Sequence, residues 1–261
     1  MKLKVRRVSV VMLALIGVAI WLVVNPASYD EIFTRVENTG AESGIRDRVD
    51  ESFSNTNDES DDGSNGGSDE NDDRLLAVEV LEKLEVKGRA PKKGYTREQF
   101  YDGWPLIDGC SLRQKILKRE FGETAVLDGC NVVAGEYDEP YTGEHMIFTE
   151  RNEVSELQID HVVALSDAWQ KGAQELSVDE RNTLATDPLN LLAVDGAANK
   201  QKSDGDAATW LPKNKKFRCQ YVARQVSVKY KYRLWVTQAE KEAISRILTN
   251  CPNERAIGIT K

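Results

Sequence analysis

Histidine is scarce in this 261-residue chain, which holds only His145 and His161, so the candidates for an imidazole base are two. The four cysteines, Cys110, Cys130, Cys219 and Cys251, include no C-x-x-C pair, which leaves a structural zinc knuckle poorly supported. Glycine (18) and proline (7) are too few for a collagen-like or wholly disordered chain. No segment repeats, and helices and strands do not alternate in a βαβ rhythm, which leaves an α+β fold. Net positive charge is also lacking. The formal charge of -8 argues on its face against a nucleic-acid partner.

That charge is unevenly spread. Residues 1–73 carry 7 basic and 15 acidic side chains, which leaves 28 of each sign in 74–261. Within 200–233 stand ten basic residues (Lys200, Lys202, Lys213, Lys215, Lys216, Arg218, Arg224, Lys229, Lys231 and Arg233) against Asp204 and Asp206. The global charge therefore describes the N-terminal tail, and the remainder is neutral with a basic stretch.

Three regions follow from these shifts. Residues 1–27 begin with Lys2, Lys4, Arg6 and Arg7 and continue into the 17-residue apolar run Val8–Val24. At ~1.5 Å per residue this run spans ~25 Å, the short limit for a bilayer. Asn25-Pro26-Ala27 is a poor cleavage site, so a signal anchor to the cytoplasmic membrane is favoured over a cleaved signal peptide. The charge bias places the rest outside the cytoplasm, anchored, or secreted if cleaved. Residues 28–74 include the Gly/Ser-rich acidic stretch DESDDGSNGGSDENDD, which cannot bury enough apolar surface to offset chain entropy and reads as a disordered linker. Residues 75–261 form the folded domain.

An even cysteine count in an exported chain favours disulfides. Cys110–Cys130 and Cys219–Cys251 is the preferred pairing, because each bridge ties one local segment. Short helices are expected over 75–86, from Thr96 with Gln99 as a capping box through Trp104, over Ser111–Phe121, after Ser177 with Glu180, and after Thr237 with Glu240. Strands are expected within 124–150, at 156–160 and at Leu189–Val194.

The chemistry concentrates around His161, which directly follows Asp160 in QIDHVVAL. Asn190 lies 29 residues further on and Asn199 lies 38. If 156–163 and 189–194 pair, and a turn at Asp195-Gly196 starts a helix, one strand–strand–helix unit aims Asp160, His161 and Asn199 at one point. A hard divalent cation prefers oxygen ligands, which Asp160 and Asn199 supply; Mg²⁺ is expected, with Mn²⁺ as the alternative. Such an ion stabilises a pentavalent phosphate, and a neutral imidazole takes the proton of the attacking water. Asn190 is placed to hold the segment carrying His161. Lys200, Lys202 and Arg113 are candidates for contacts to phosphate. His145 lacks such company and reads as a surface residue, and Trp169 and Trp210 as core.

The ordered series D-H, then N, then N-K-x-K-S-D resembles the HNH (ββα-metal) nucleases, including the nuclease domain of RNA-guided CRISPR effectors. The wider chain is similar to exported HNH endonucleases related to the C-terminal domain of GmrSD-type restriction endonucleases. The matching pieces are KGRAPKKGYTREQF at 87–100, DGCSLRQKIL at 108–117, EPYTG at 139–143, IDHVVALSDAWQKGA at 159–173, TDPLNLLAV at 186–194 and NKQKSDGDAATWLP at 199–212. The resemblance covers roughly 75–251. It implies a ββα-metal core embedded in a mostly helical, disulfide-stapled domain. It further implies Asp160 and Asn199 as metal ligands, His161 as general base and Asn190 as its support. The expected activity is metal-dependent hydrolysis of DNA, or RNA, with little sequence preference and no protein partner implied. A non-catalytic nucleic-acid-binding or uptake module, and a toxin or competition effector with the same chemistry, are the alternatives.

Overall fold

The computed structural model describes residues 72–260, so the N-terminal apolar run and nearly all of the acidic linker lie outside the described residues. Among the described residues, no helix is long and apolar enough to cross a membrane. The chain opens with β1 (Arg74–Leu76), which pairs antiparallel with the last strand, β9 (Arg255–Thr260). Helix α1 (Ala77–Lys83) follows, so the expected helix at 75–86 begins as a strand and ends earlier. Thr96 makes no side-chain cap, and only a 3-10 turn forms at Arg97–Gln99 in place of a helix to Trp104.

A small hairpin, β2 (Leu106–Ile107) with β3 (Cys110–Ser111), leads into α2 (Leu112–Phe121), whose first turn is capped by Ser111. Strands β4 (Val126–Asp128), β5 (Asn131–Asp138) and β6 (His145–Phe148) form a three-stranded antiparallel sheet in that order. After the short α3 (Arg151–Ser155) comes β7 (Gln158–His161), then α4 (Leu165–Trp169) and α5 (Val178–Thr186), the latter closed by the Ser177–Glu180 capping box. Strand β8 (Leu191–Val194) returns antiparallel to β7, with Asp160 opposite Leu192 and His161 opposite Leu191. Asp195 then caps α6 (Gly196–Lys202) by accepting from the Ala198 amide. Helices α7 (Arg218–Lys231) and α8 (Gln238–Leu248, capped by Thr237) complete the fold. Among the described residues it is a mixed α+β architecture with four small sheets.

The β7–β8 pair sits at the junction of two apolar clusters. Val162, Leu192 and Val194 pack with α1, Tyr221, Val222 and Val226 of α7, and Ile244 and Leu248 of α8. The neighbouring Val163 turns the other way, toward Phe100, Leu165, Leu184, Ala185 and Val228. A two-stranded sheet leaves edge groups that burial makes costly unless they find partners. Arg119 of α2 donates to the carbonyls of Pro188 (2.9 Å) and Leu191 (2.6 Å), and Tyr137 of β5 donates to Ala193 O. Arg224 of α7 donates to Leu189 O at 3.0 Å.

Two disulfides staple the domain, Cys110–Cys130 and Cys219–Cys251, the pairing that local closure favours. The first joins β3 to the β4–β5 turn, and the second joins the start of α7 to the residues just after α8.

Behind the β7–α6 unit lies a charge-balanced cluster of six side chains. Lys171 Nζ is 2.7 Å from Asp167, 2.7 Å from Asp206 and 2.6 Å from Glu240. Lys229 reaches Glu240 at 2.7 Å and Asp167 at 3.2 Å. Arg89 closes the set on Asp206 (2.8 Å) and Asp167 (3.1 Å). Both lysines and all three carboxylates are buried. Lys229 is therefore a structural cation, not part of an exposed basic track. Within the same stretch the exposed Lys231 pairs with Asp187 and Arg233 with Glu180, and Lys200, Lys213, Lys215 and Lys216 are also exposed.

Candidate active site

The strand period of two puts Gln158 and Asp160 on one side of β7, the side that α6 covers. Close approach of α6 requires its first residue to be small. A Cβ on Gly196 would stand 3.1 Å from both Gln158 Nε2 and Glu156 O. Across this contact Asn199 Nδ2 donates to Gln158 Oε1 at 2.9 Å. With its amide nitrogen committed, Asn199 keeps Oδ1 as an acceptor. The helix ends at Ser203, whose φ of 52° turns the chain toward Asp204.

Asp160 is buried. Its carboxylate receives Lys202 Nζ at 3.0 Å on Oδ1 and 2.9 Å on Oδ2, and the Tyr141 hydroxyl on Oδ2. Burial pushes the carboxyl up, and the Lys202 ammonium and the Tyr141 hydrogen bond oppose that push. Burial also pushes the Tyr141 phenol well above its ordinary value, which keeps it a donor. Tyr141 is placed by Glu139, a buried carboxylate that accepts from the backbone N–H of Tyr141 and Thr142 and from that of Asp195 at the head of α6. The EPYTG segment thus ties a surface turn to both Asp160 and α6.

His161 is buried under Tyr101 and Trp104, the Trp104 ring lying nearly parallel to it at 6.0 Å and 12°. Its Nε2 is 2.8 Å from Ala185 O. A carbonyl only accepts, so Nε2 carries the hydrogen and Nδ1 the lone pair. Burial, with the nearby charges of Arg97 and Lys202, holds the imidazole down at about 3, against a partial rise from the Ala185 bond. The ring is therefore neutral at physiological pH. Asn190 is buried and clamps the segment that follows. Its Oδ1 accepts from Val163 N at 2.8 Å, its Nδ2 donates to Val163 O and Leu184 O, and its carbonyl accepts from Val162 N.

Asp160, His161, Asn199 and Gln158 open onto one cleft of about 320 Å³, with Lys92, Tyr95, Arg97, Ser166, Lys200, Ser203 and Asp204 on its walls. Lys92 pairs with Asp204 at 2.9 Å, and that bond is the main cause of the lowered Asp204 carboxyl.

Two of the expected phosphate contacts are placed otherwise. Lys202 is 1% exposed and turned inward, where it also donates to His161 O at 2.8 Å. Arg113 is absent from the cleft walls; it donates to Leu157 O at 2.9 Å and braces the chain entering β7. Lys200 alone of that trio faces the opening. His145 is exposed against Asp138 and Glu136, and Trp169 is buried. Among the described residues, the one grouping of His, Cys, Asp or Glu with metal-like spacing is Cys219, Cys251 and Glu254, whose sulfurs are spent in a disulfide. Sequence reasoning missed Gln158, Tyr141, Glu139 and Arg97. The i,i+2 spacing to Asp160 was a signal for Gln158; for the others only their place in the matching segments was available.

The described residues thus form a disulfide-stapled α+β domain in which a carboxylate, a neutral imidazole and a carboxamide line one polar cleft. The family described as GmrSD restriction endonucleases, C-terminal domain, matches residues 113–247, and the chain belongs to that family. It is also similar to an uncharacterized secreted protein of Arthroderma benhamiae, 34% identical over 178 residues that cover 67% of this chain and 84% of that one. No solved structure matches.

Proposed function

We propose that the cleft is the active site of a metal-dependent endonuclease that hydrolyses phosphodiester bonds of DNA, with RNA as a further substrate, and little sequence preference. The observation that carries this reading is that Asp160, His161 and Asn199 line one cleft, with His161 Nε2 committed to Ala185 O and Nδ1 left as the acceptor of a neutral ring. In this reading β7, β8 and α6 are the ββα-metal core of an HNH-type fold, and the nuclease domain extends over 75–261.

The donor set suits a hard divalent ion such as Mg²⁺. Asp160 offers one anionic carboxylate with lone pairs beyond those Lys202 and Tyr141 use, and Asn199 offers a neutral Oδ1. When bound there, such an ion supplies charge stabilisation to a phosphate and its leaving oxygen. His161 Nδ1 takes the proton of the attacking water. Asn190 holds the backbone after His161 so that the ring keeps its aim. Gln158 fixes the Asn199 amide the right way round, and Lys202 with Tyr141 fixes the Asp160 carboxylate. Lys200 is open to a neighbouring phosphate. The two disulfides, together with a relative described as secreted, support action outside the cytoplasm.

Plasmid nicking with Mg²⁺ and with EDTA tests the reading. His161→Ala should lower the rate by ~10²–10⁴ at every metal concentration. Asn199→Ala should be partly rescued by excess Mg²⁺ or Mn²⁺, because it acts through occupancy. Asn199 is a cleaner probe than Asp160, whose removal strands the buried Lys202. A folded His161→Ala protein that nicks at the wild-type rate would mean that His161 is not the base. Binding without any nicking by the wild-type protein would favour a non-catalytic module.

A further inference from the structure

The charges of the cleft do not cancel. Asp160 is paired with the buried Lys202, and Asp204 with Lys92. Arg97 and Lys200 also line the cleft, and among the described residues neither is ion-paired with a carboxylate. Arg97 is held at the 3-10 turn Arg97–Gln99, with Nε at 3.1 Å from the Tyr101 hydroxyl and Nη2 on the same oxygen. A hydroxyl does not neutralise a guanidinium, and Nη1 keeps both its hydrogens. Tyr101 in turn packs against the His161 ring at 5.8 Å. The turn thus carries a forked cation, with no ion pair among the described residues, on the layer that covers the base.

We propose that Arg97 is the phosphodiester clamp of this cleft, donating to the non-bridging oxygens of the phosphate attacked beside His161. The proposal rests on the nuclease reading above and extends it. Guanidinium geometry matches two phosphate oxygens at once, which an ammonium does not. The tether to Tyr101 keeps the fork oriented before substrate arrives, so little is lost in ordering it. Arg97 lies ahead of residue 113, where the match to the family begins. The same segment upstream of that match supplies Lys92 and Tyr95 to the walls.

The test uses the full chain, with Arg97→Ala, Arg97→Lys and His161→Ala variants. Supercoiled plasmid is nicked in Mg²⁺, and a labelled 12-base-pair duplex is titrated in EDTA across salt concentrations. Arg97→Ala should keep its circular dichroism spectrum and lose about 10²–10³ in kcat, the scale of one lost donor at a reacting oxyanion. Arg97→Lys should recover only part of that. In binding, the log–log salt slope of Arg97→Ala should fall by about 0.9, the value of one duplex phosphate contact. A wild-type kcat in Arg97→Ala, with His161→Ala inactive, overturns the clamp and leaves the nuclease reading standing. A raised KM with unchanged kcat also overturns it, by placing Arg97 on a flanking phosphate. If the wild-type protein nicks nothing, the nuclease reading falls, and an unchanged salt slope in Arg97→Ala then overturns the clamp as well.

Discussion

Lys200 and Lys202 are two residues apart on α6, and their fates differ completely. A step of two residues on an α-helix turns through about 200°, so the two cannot face the same way. Lys200 looks out of the cleft, and Lys202 looks in at Asp160. The sequence offered both as basic neighbours of Asn199, because what buries Lys202 is a carboxylate 42 positions earlier. Their substitutions should separate accordingly. Lys202→Met leaves Asp160 buried without its cation and should cost about 3–5 kcal/mol in urea unfolding. Lys200→Ala should change stability by less than about 0.5 kcal/mol and act only on nucleic-acid binding. Equal unfolding midpoints for wild type and Lys202→Met would contradict the ion pair. Asn190, 29 residues after the histidine, spends its amide on Val163 and Leu184 and so holds the backbone that follows His161, not the ring.

Elements with local start signals were legible. Ser111, Ser177, Asp195 and Thr237 each cap the helix that follows, since a side-chain oxygen reaching an amide three residues on needs no tertiary help. Thr96 carries the same signal, but Asp102-Gly103 breaks the chain and the tyrosine layer over His161 claims the residues between. Strand β9 was missed because 255–260 has little periodicity of its own and is ordered by pairing with β1. Helices α7 and α8 are joined across their ends by Cys219–Cys251. Replacing both cysteines by serine should lower stability by about 3–4 kcal/mol in the loop-closure account. Non-reducing peptide mapping should recover that bridge and Cys110–Cys130. Four alkylatable thiols in the native protein would exclude both. The short stretch before α7 keeps Lys213, Lys215 and Lys216 exposed. If these meet phosphates, Lys215→Ala with Lys216→Ala should reduce the salt slope of duplex binding by about 1.8. An unchanged slope would leave them as a solvated surface.

At the scale of the whole domain, the six-charge cluster decides how stability responds to acid. Ion pairing with Lys171 and Arg89 outweighs burial and lowers the Asp206 carboxyl from its usual 3.8 to about 2. Its contribution is therefore fully present above pH ~4 and drains away as pH falls toward 2. Thermal melts across this range should show a steep loss that is blunted in Asp206→Asn, a variant already weaker at neutral pH. Parallel melting curves for the two proteins would show that Asp206 does not govern the acid limb. The cluster also fixes where this molecule can be cut. Three cations balance three anions, and one of the cations, Arg89, comes from upstream of residue 113. A fragment beginning at 113 would keep Lys171, Lys229 and all three carboxylates, and so would bury an excess negative charge. The stretch that matches the family is thus shorter than the stretch that closes the interior charge balance, and a cut at 113 would break that electroneutrality.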